Sequence, residues 1–196
     1  MPRSGAEARR RLQQAALELY QEQGFDQTTA AEIAGRAGLN ERTFFRHFPD
    51  KREVLFDGEA DLRAALMQAI AEAPEGLEPF DILLYTFRRS ARNLENNRPF
   101  SEPRRQIIAM TPALRERDLA KHASLTDAVA TALRQRGVGD GLAGLAARTG
   151  WAAYQHAVQA WIDDSAQSLD VHLSQAFDDL RSLSAAGLPT RTGPER

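Results

Sequence analysis

Apolar residues recur along this chain at intervals of three and four positions, and no long stretch alternates between apolar and polar residues. Intervals of three and four place apolar side chains on one face of an α-helix, whereas strict alternation indicates a strand. Short interruptions rich in Gly, Pro and Asn divide the pattern into segments of helical length. The pattern predicts an all-α protein of about nine helices.

The second predicted helix is short and has a well-defined start. Thr29 and Glu32 have the spacing of a capping box, so the helix should begin at Thr28 or Thr29. It should end at Gly38, because glycine readily adopts the positive φ of a tight turn. A longer helix over about Glu7 to Gln23 precedes it.

A third short helix should follow the turn directly. Asn40 is a good N-cap for a helix covering Glu41 to His47. Asp50 and Glu53 again have capping-box spacing, which predicts a longer fourth helix that continues to about Glu72. Two short helices joined by a glycine turn, with a longer helix on each side, are typical of a helix-turn-helix.

The loop at 74–79 is the best internal boundary, because it contains two Pro and one Gly. It separates a helix-turn-helix domain at 1–52, linked through the helix 53–72, from a second helical domain at 75–186. Residues 187–196 contain no helical pattern, and we expect them to form a disordered tail.

Composition excludes several classes of protein. The 196 residues are 42% hydrophobic and 27% charged, with a net charge of −2, which is unlike a disordered chain. The absence of Cys excludes disulfides and thiolate chemistry. No apolar run reaches the roughly 18 residues of a membrane helix, and the N-terminus lacks the apolar core of a secretory signal. A cytoplasmic protein is therefore expected.

Charge alone does not indicate a nucleic-acid partner. Residues 1–52 contain 9 basic and 7 acidic residues, a net of +2, whereas residues 53–196 contain 16 and 20, a net of −4. An excess of this size is too weak to predict DNA binding, so the prediction must rest on the geometry of the motif.

Three phenylalanines lie within the third predicted helix and the residue after it. Phe44 and Phe48 are i,i+4 neighbours on one face, so both should be buried. Phe45 is rotated about 100° from Phe44 and cannot share that face. It should point outward with Arg42, toward DNA. Spacing alone leaves open the alternative that all three rings are buried and that the basic residues only solvate a surface.

The outward face of the third helix would carry the contacts to DNA. Its members are Glu41, Arg42, Thr43, Phe45 and His47. Arg42 could read guanine through two hydrogen bonds, and Phe45 could contact a thymine methyl group. Thr43 and His47 could bind phosphate, and so could Lys51 at the start of the next helix.

The motif T-T-x-x-E-I-A-x-x-A-G-L-x-x-x-T-F-F-R-H-F-x-x-K, from Thr28 to Lys51, resembles the tetracycline-repressor (TetR) family of bacterial transcriptional regulators. It covers about 24 residues, inside a homologous DNA-binding domain of about 50, and it is a specific signal. The variant TFFRHFP, with PALRER at 112–117, is also similar to the subgroup that contains mycofactocin-system regulators. The resemblance implies an N-terminal helix-turn-helix domain joined to a C-terminal helical domain.

The resemblance also implies roles for individual residues. The phosphate-contact positions of the family fall on Thr28, Thr43, Phe45, His47 and Lys51. The base-reading positions fall near Glu41 and Arg42, and Thr29 joins the DNA-binding candidates beside Thr28. The family usually has Tyr where this chain has Phe45. Because Phe cannot hydrogen-bond a phosphate, we expect an apolar contact with a base or sugar at that position instead.

For the C-terminal body, the resemblance implies ligand binding and dimerisation. The last two predicted helices, at about 142–163 and 169–185, would pair with those of a second copy, and the homodimer would bind a palindromic operator. Small residues on the first helix permit close approach, and Leu173 and Phe177 belong to an apolar stripe on the second. The alternative that these faces are buried only within one chain remains open.

Candidate ligand-binding residues combine large apolar groups with polar groups that could anchor a ligand. They are Tyr85, Arg89, Met110, Trp151 and Gln155. For each of them taken singly, core packing or surface exposure is the more common role, so the prediction concerns the group. The ligand would be apolar or amphipathic, and an Arg could anchor it. The acyl thioesters known for some members of the family are compatible, and no cofactor or metal is expected.

The leading hypothesis is a DNA-binding repressor that a small molecule releases. An enzyme would have to use His122, His156 or His172 with nearby Asp residues, but no G-x-S-x-G, H-E-x-x-H or phosphate-binding glycine loop is present. A helical interaction module that does not bind DNA is the third hypothesis.

Overall fold

The computed structural model describes residues 2–164 and 166–185, and these form nine α-helices and one short 3₁₀ helix. In chain order they are α1 (Pro2–Gln23), α2 (Ala30–Arg36), α3 (Glu41–His47), the 3₁₀ helix (Glu53–Phe56), α4 (Glu59–Glu72), α5 (Pro79–Asn96), α6 (Arg98–Met110), α7 (Pro112–Gln135), α8 (Asp140–Asp163) and α9 (Leu169–Ala185). The all-α fold class is confirmed for this part of the chain. The predicted tail at 187–196 lies outside the described residues.

The N-caps of the two short helices are as predicted. The Thr29 hydroxyl accepts a hydrogen bond from the Glu32 N–H at 3.2 Å, and the Glu32 carboxylate accepts one from the Thr29 N–H at 2.8 Å. This is a complete capping box. The Asn40 side chain accepts from the Thr43 N–H at 2.8 Å and starts α3. Because these bonds satisfy N–H groups that a helix leaves unpaired, they fix where each helix begins.

The prediction of a continuous helix over residues 53–72 is wrong. The segment is a 3₁₀ helix followed by α4, and Gly58 between them has a φ of +82°. Asp57 just before the break accepts hydrogen bonds from Arg9 Nε at 2.6 Å and Gln13 Nε2 at 3.1 Å, both on α1. These tertiary bonds and the left-handed glycine stop the 3₁₀ helix and restart the chain as α4.

The predicted start of α1 also differs from the structure. The helix expected from Glu7 already begins at Pro2, where proline is tolerated in the first turn. Helix α6 has 13 residues, with Pro99 near its start and Pro103 inside it.

The chain forms two compact units that do not follow its order. The first unit contains Met1–Ala65 and Asn96–Leu125, and the second contains Leu66–Glu95 and Thr126–Arg196. The helix-turn-helix of α2 and α3 therefore shares its unit with α6 and with the N-terminal half of α7.

The core of the first unit holds two of the three phenylalanines of the motif. Phe44 and Phe48 are 0% and 2% exposed, whereas Phe45 is 53% exposed. Ile107 and Ile108 of α6 belong to the same buried cluster. The prediction that Phe45 points outward is confirmed, and the alternative that all three rings are buried is wrong.

In the second unit, the small residues of α8 are buried within the chain. Gly150 lies so close to α5 that an added Cβ would be 2.5 Å from Leu83 Cδ1. Phe87 of α5 packs against Trp151 and Tyr154, with ring centroids 5.9 Å and 4.7 Å away. The small-residue face of α8 is therefore used inside one chain.

Truncation of two rings of the motif, Phe44 and Phe45, should change the stability by different amounts. Phe44→Ala should lower the free energy of unfolding by about 3–5 kcal/mol, because it empties a fully buried site. Phe45→Ala should change it by no more than about 0.5 kcal/mol, since the ring is half exposed. Urea unfolding of both variants checks this. An equal loss of unfolding free energy in the two variants would contradict the exposed placement of Phe45.

Alanine substitution at two glycines of α8 should change the free energy of unfolding in opposite directions. Gly150→Ala should destabilise by about 1–3 kcal/mol, because the new methyl group meets the buried Leu83. Gly141→Ala should stabilise by up to about 1 kcal/mol, since no atom lies within 4 Å of the new Cβ and Ala favours the helix. Thermal unfolding of the pair is the measurement, and a stabilised Gly150→Ala variant would refute the close approach of α8 and α5.

Candidate nucleic-acid interface

The exposed face of α3 carries two arginines and one aromatic ring. Arg42, Phe45 and Arg46 are exposed and occupy positions i, i+3 and i+4, so they lie side by side on one face. The opposite face packs Phe44 into the core. Since α3 has only seven residues, it depends on this packing for its stability, and the packing sets the direction of the exposed face.

The arginines of the exposed face differ from their neighbours in the first 52 residues. Five other arginines have partners, namely Arg9 with Asp57, Arg10 with Glu7, Arg11 with the Ala37 carbonyl, Arg36 with Glu22 and Arg52 with Asp50. Among the described residues, no hydrogen bond or ion pair engages Arg42 or Arg46. Their guanidinium groups are therefore available to phosphate or to the edge of a base.

Arg46 was not among the residues predicted from the sequence. The signal was present, because Arg46 is four positions after Arg42 and so shares its face. It is exposed in the last turn of α3, next to Phe45.

The turn between α2 and α3 leaves no room for a side chain. Gly38 has a φ of +65°, and a Cβ there would lie 2.6 Å from Nη2 of Arg11. That guanidinium donates to the Ala37 carbonyl, and the Leu39 N–H donates to the Ala34 carbonyl at 2.8 Å. These bonds set the angle at which α3 leaves α2.

Lys51, predicted to bind phosphate, is engaged inside the protein. Its ammonium group donates to the carbonyls of Phe25 and Thr28 at 2.8 Å and of Asp26 at 3.4 Å. It also lies 4.3 Å from the centroid of the Phe25 ring. Lys51 thereby holds the turn between α1 and α2, and a contact with phosphate would require it to exchange one of these bonds.

Thr28 is likewise engaged in that turn. Its side chain is buried and its hydroxyl donates to the Gly24 carbonyl at 2.8 Å, while its N–H donates to Phe25 at 3.2 Å. Thr29 is exposed, but its hydroxyl takes part in the capping box of α2. A DNA contact by either residue remains a prediction.

The other three candidates lie along α3. Glu41 is exposed in the first turn, and Thr43 is half-buried. His47 is half-buried, and burial, followed by the positive charges of Arg46 and Arg9, lowers its pKa. His47 is therefore neutral near pH 7 and can offer phosphate a hydrogen bond but no charge.

Four of the five ligand candidates belong to the second unit and one belongs to the first. Tyr85 and Arg89 form an exposed network with Glu72, in which Arg89 donates to the Tyr85 hydroxyl at 3.0 Å and to the carboxylate at 3.1 Å. Trp151 is buried and Gln155 is half-buried on α8, in the same unit. Met110 is 77% exposed and belongs to the first unit.

A cavity beside Met110 was not predicted from the sequence. The cavity has a volume of about 360 Å³ and lies within the first unit, between the end of α1 and the junction of α6 with α7. Its lining includes Tyr20, Phe25, Ile107 and Met110. The cavity has the size of a small-molecule site but is only partly apolar.

Two other kinds of site are not found in the part of the chain that is described. No helix there is long and apolar enough to cross a membrane. No group of three or more His, Asp or Glu side chains there is arranged to hold a metal ion.

Three comparisons identify relatives of the chain. A family profile described as "Bacterial regulatory proteins, tetR family" matches residues 12–57. The transcriptional regulator TcmR of Streptomyces glaucescens is 37% identical over 73 residues, which cover 37% of this chain and 32% of TcmR. The putative mycofactocin biosynthesis transcriptional regulator MftR of Mycobacterium tuberculosis is 26% identical over 196 residues, 91% of this chain and 94% of MftR.

Similarity to a solved structure extends over the whole chain. FadR of Thermus thermophilus, a TetR-family transcriptional repressor in complex with lauroyl-CoA, is 26% identical. The two structures superpose with a TM-score of 0.55 over 96% of this chain and 100% of FadR. The match to TcmR spans about a third of that protein. These relatives are transcriptional regulators and not enzymes, and residues 12–57 of this chain match the profile of the TetR family of bacterial regulatory proteins.

Proposed function

We propose that the protein is a cytoplasmic transcriptional repressor that binds a palindromic operator as a homodimer and is released by a small apolar or amphipathic ligand. One observation carries the proposal. Arg42 and Arg46 lie exposed on the helix predicted to read DNA, beside the exposed Phe45, and nothing among the described residues engages either guanidinium. Exposed arginines held on a short, well-packed helix suit the major groove.

Each side chain on this face has a distinct task. Arg42, in the first half of α3, reads guanine through two parallel hydrogen bonds, and Arg46 binds a phosphate or a second base. Phe45 between them contacts a thymine methyl or a sugar, because it has no hydrogen-bonding group. Lys51 stabilises the interface indirectly, because it holds the turn that leads into α2.

The homodimer is proposed from the exposed apolar side chains of α8 and α9. Leu142 and Leu145 of α8 are 54% and 58% exposed, and Val171 and Leu183 of α9 are also exposed. Leu142 and Leu145 are three positions apart and share one face. Burial of these four side chains against a second copy would form a four-helix bundle and place two α3 helices about 34–36 Å apart.

The ligand is proposed to bind the second unit, where α5, α8 and α9 bring large aromatic rings together. Phe87 contacts Trp151, Tyr154 and Phe177 there. FadR binds lauroyl-CoA, so an amphipathic acyl compound is the class of ligand to test first. A coupling free energy of about 1–3 kcal/mol between ligand and operator would be enough for regulation.

The DNA-binding function predicts that the two arginines of α3 are required. The measurement is fluorescence anisotropy on DNA flanking the protein's own gene and on a scrambled duplex, at two salt concentrations. The wild type should bind the flanking DNA at least ~10³-fold tighter than the scrambled duplex, and less tightly as salt rises. Arg42→Ala should weaken specific binding by about 1–3 kcal/mol, and the double variant with Arg46→Ala should abolish it.

Arg134→Ala is the matched control, because it removes one positive charge from the second unit. It should bind like the wild type. Unchanged binding by the double variant, or no binding by the wild type even at low salt, would refute the proposal. In the second case, an interaction module that does not bind DNA becomes the better hypothesis.

The proposed dimer predicts that charge on the exposed face of α8 separates the two copies. Leu142→Glu with Leu145→Glu should convert a dimer into a folded monomer and weaken operator binding, because two carboxylates would be buried unpaired at the interface. Sedimentation equilibrium is the measurement. Leu119→Glu, at an exposed leucine of α7, is the control and should stay dimeric. A wild type that sediments as a monomer at micromolar concentration would contradict the proposal.

A further inference from the structure

Three cationic side chains surround one buried ring in the first unit. Phe56 of the 3₁₀ helix is buried, and its ring centroid lies 5.2 Å from Arg104 of α6. Arg117 and Lys121 of α7 lie 5.0 Å and 5.9 Å from the same centroid. Cations favour the faces of aromatic rings, but they repel one another, so such a cluster needs negative charge nearby.

Carboxylates fully engage only one of these three cations. Arg117 donates to Glu53 at 2.7 Å and 3.1 Å and to Glu59 at 2.8 Å. These bonds raise the pKa of Arg117. Neither Glu53 nor Glu59 is within hydrogen-bond or ion-pair distance of Arg104 or Lys121 among the described residues.

Arg104 is only partly satisfied. Its Nε donates to the Leu55 carbonyl, but its Nη2 is shielded from solvent and has no hydrogen-bond partner among the described residues. The closest carboxylate, Asp118, is 3.9 Å from Nη2 and is also 3.6 Å from His122. A buried donor without an acceptor is rare in native proteins and calls for an explanation.

Among the described residues, Lys121 also lacks a hydrogen-bond partner for its charged group. No hydrogen bond or ion pair engages its ammonium group within the described part of the chain. Burial, and then the positive charge of Arg104, lowers the pKa of Lys121 to about 8, and burial lowers that of Arg104 to about 10. The two cationic groups thus lie beside the same ring, with Asp118 as the carboxylate closest to Arg104.

We propose that Arg104 and Lys121 bind a phosphate-type oxyanion at the side of Phe56. The planar guanidinium can give its Nη2 hydrogens to one oxygen, and the three donors of the ammonium can reach another. A phosphate group carries a charge of about −1.5 to −2 at pH 7, which matches the two cations better than the single carboxylate of Asp118 does. Nη2 itself is shielded and 17% of the Arg104 side chain is exposed, so an anion would have to shift this side chain to reach Nη2.

The site links α6 and α7 to the segment that follows the helix-turn-helix. Arg104 already holds the Leu55 carbonyl, and Arg117 holds Glu53 at the start of the same 3₁₀ helix. An anion bound there would fasten the two helices against this segment and stabilise the first unit. The inference does not depend on the proposed repressor function, because anion binding can be measured without DNA.

The test is thermal unfolding of the full chain in a titration of sodium phosphate, with ionic strength held constant by sodium chloride at pH 7. The wild-type Tm should rise along a saturating curve, because phosphate binds the folded state only. Lys121→Met should show no saturating rise. It should also start from an equal or higher Tm, since it removes an unpaired buried charge. Arg115→Ala, at an exposed arginine of the same helix, is the control and should respond like the wild type.

Two results would overturn the inference. One is a linear rise of Tm that is the same in all variants, which is the general effect of a salt excluded from the surface. The other is a Lys121→Met variant that still saturates like the wild type. If Lys121→Met does not fold, phosphate binding is measured instead by titration calorimetry of the wild type and of Lys121→Arg. The absence of saturable heat in both proteins would refute the site.

A second titration with n-hexyl phosphate identifies the source of the anion. If n-hexyl phosphate binds at least tenfold tighter than inorganic phosphate, and Lys121→Met binds neither compound, the site is assigned to the head group of an amphipathic molecule. Equal affinity for the two compounds assigns it to the free ion.

Discussion

The burial of Phe44 and Phe48 on one side of α3 is the constraint on which the rest of the first unit depends. A helix of seven residues is not stable alone in water, so α3 exists because these two rings anchor it to the core. Their burial leaves only one orientation for the helix. That orientation exposes Arg42, Phe45 and Arg46 together, and the direction of this exposed face is thus a consequence of core packing.

The turns on either side of α3 further restrict its orientation. Lys51 reaches back to donate to the Phe25 and Thr28 carbonyls between α1 and α2, and unpaired backbone groups are expensive when buried. Arg11 performs a similar task at the Ala37 carbonyl. Two basic residues of the DNA-binding region therefore stabilise its shape, and the exposed arginines of α3 are left to bind.

The helices α6 and α7 connect this region to the remainder of the chain. Ile107 and Ile108 complete the core around the helix-turn-helix, and Arg104 and Arg117 hold the segment after it. A signal that shifts α6 or α7 would reach α3 through packed side chains and ion pairs of one compact unit. Linkage of this kind is what a regulator that responds to a small molecule requires.

The sequence by itself determined the features that depend on residues up to four positions apart. These are the all-helical class, the caps at Thr29 and Asn40, and the division of the three phenylalanines between two faces. The same reasoning would have found Arg46, four positions after Arg42. Only the tertiary structure decided the partners that lie far away in the chain. It paired Lys51 with carbonyls more than 20 positions earlier, broke the helix at Gly58 through Asp57 and α1, and packed Gly150 against Leu83. Local patterns cannot specify such contacts, because they arise only when the separate helices pack together.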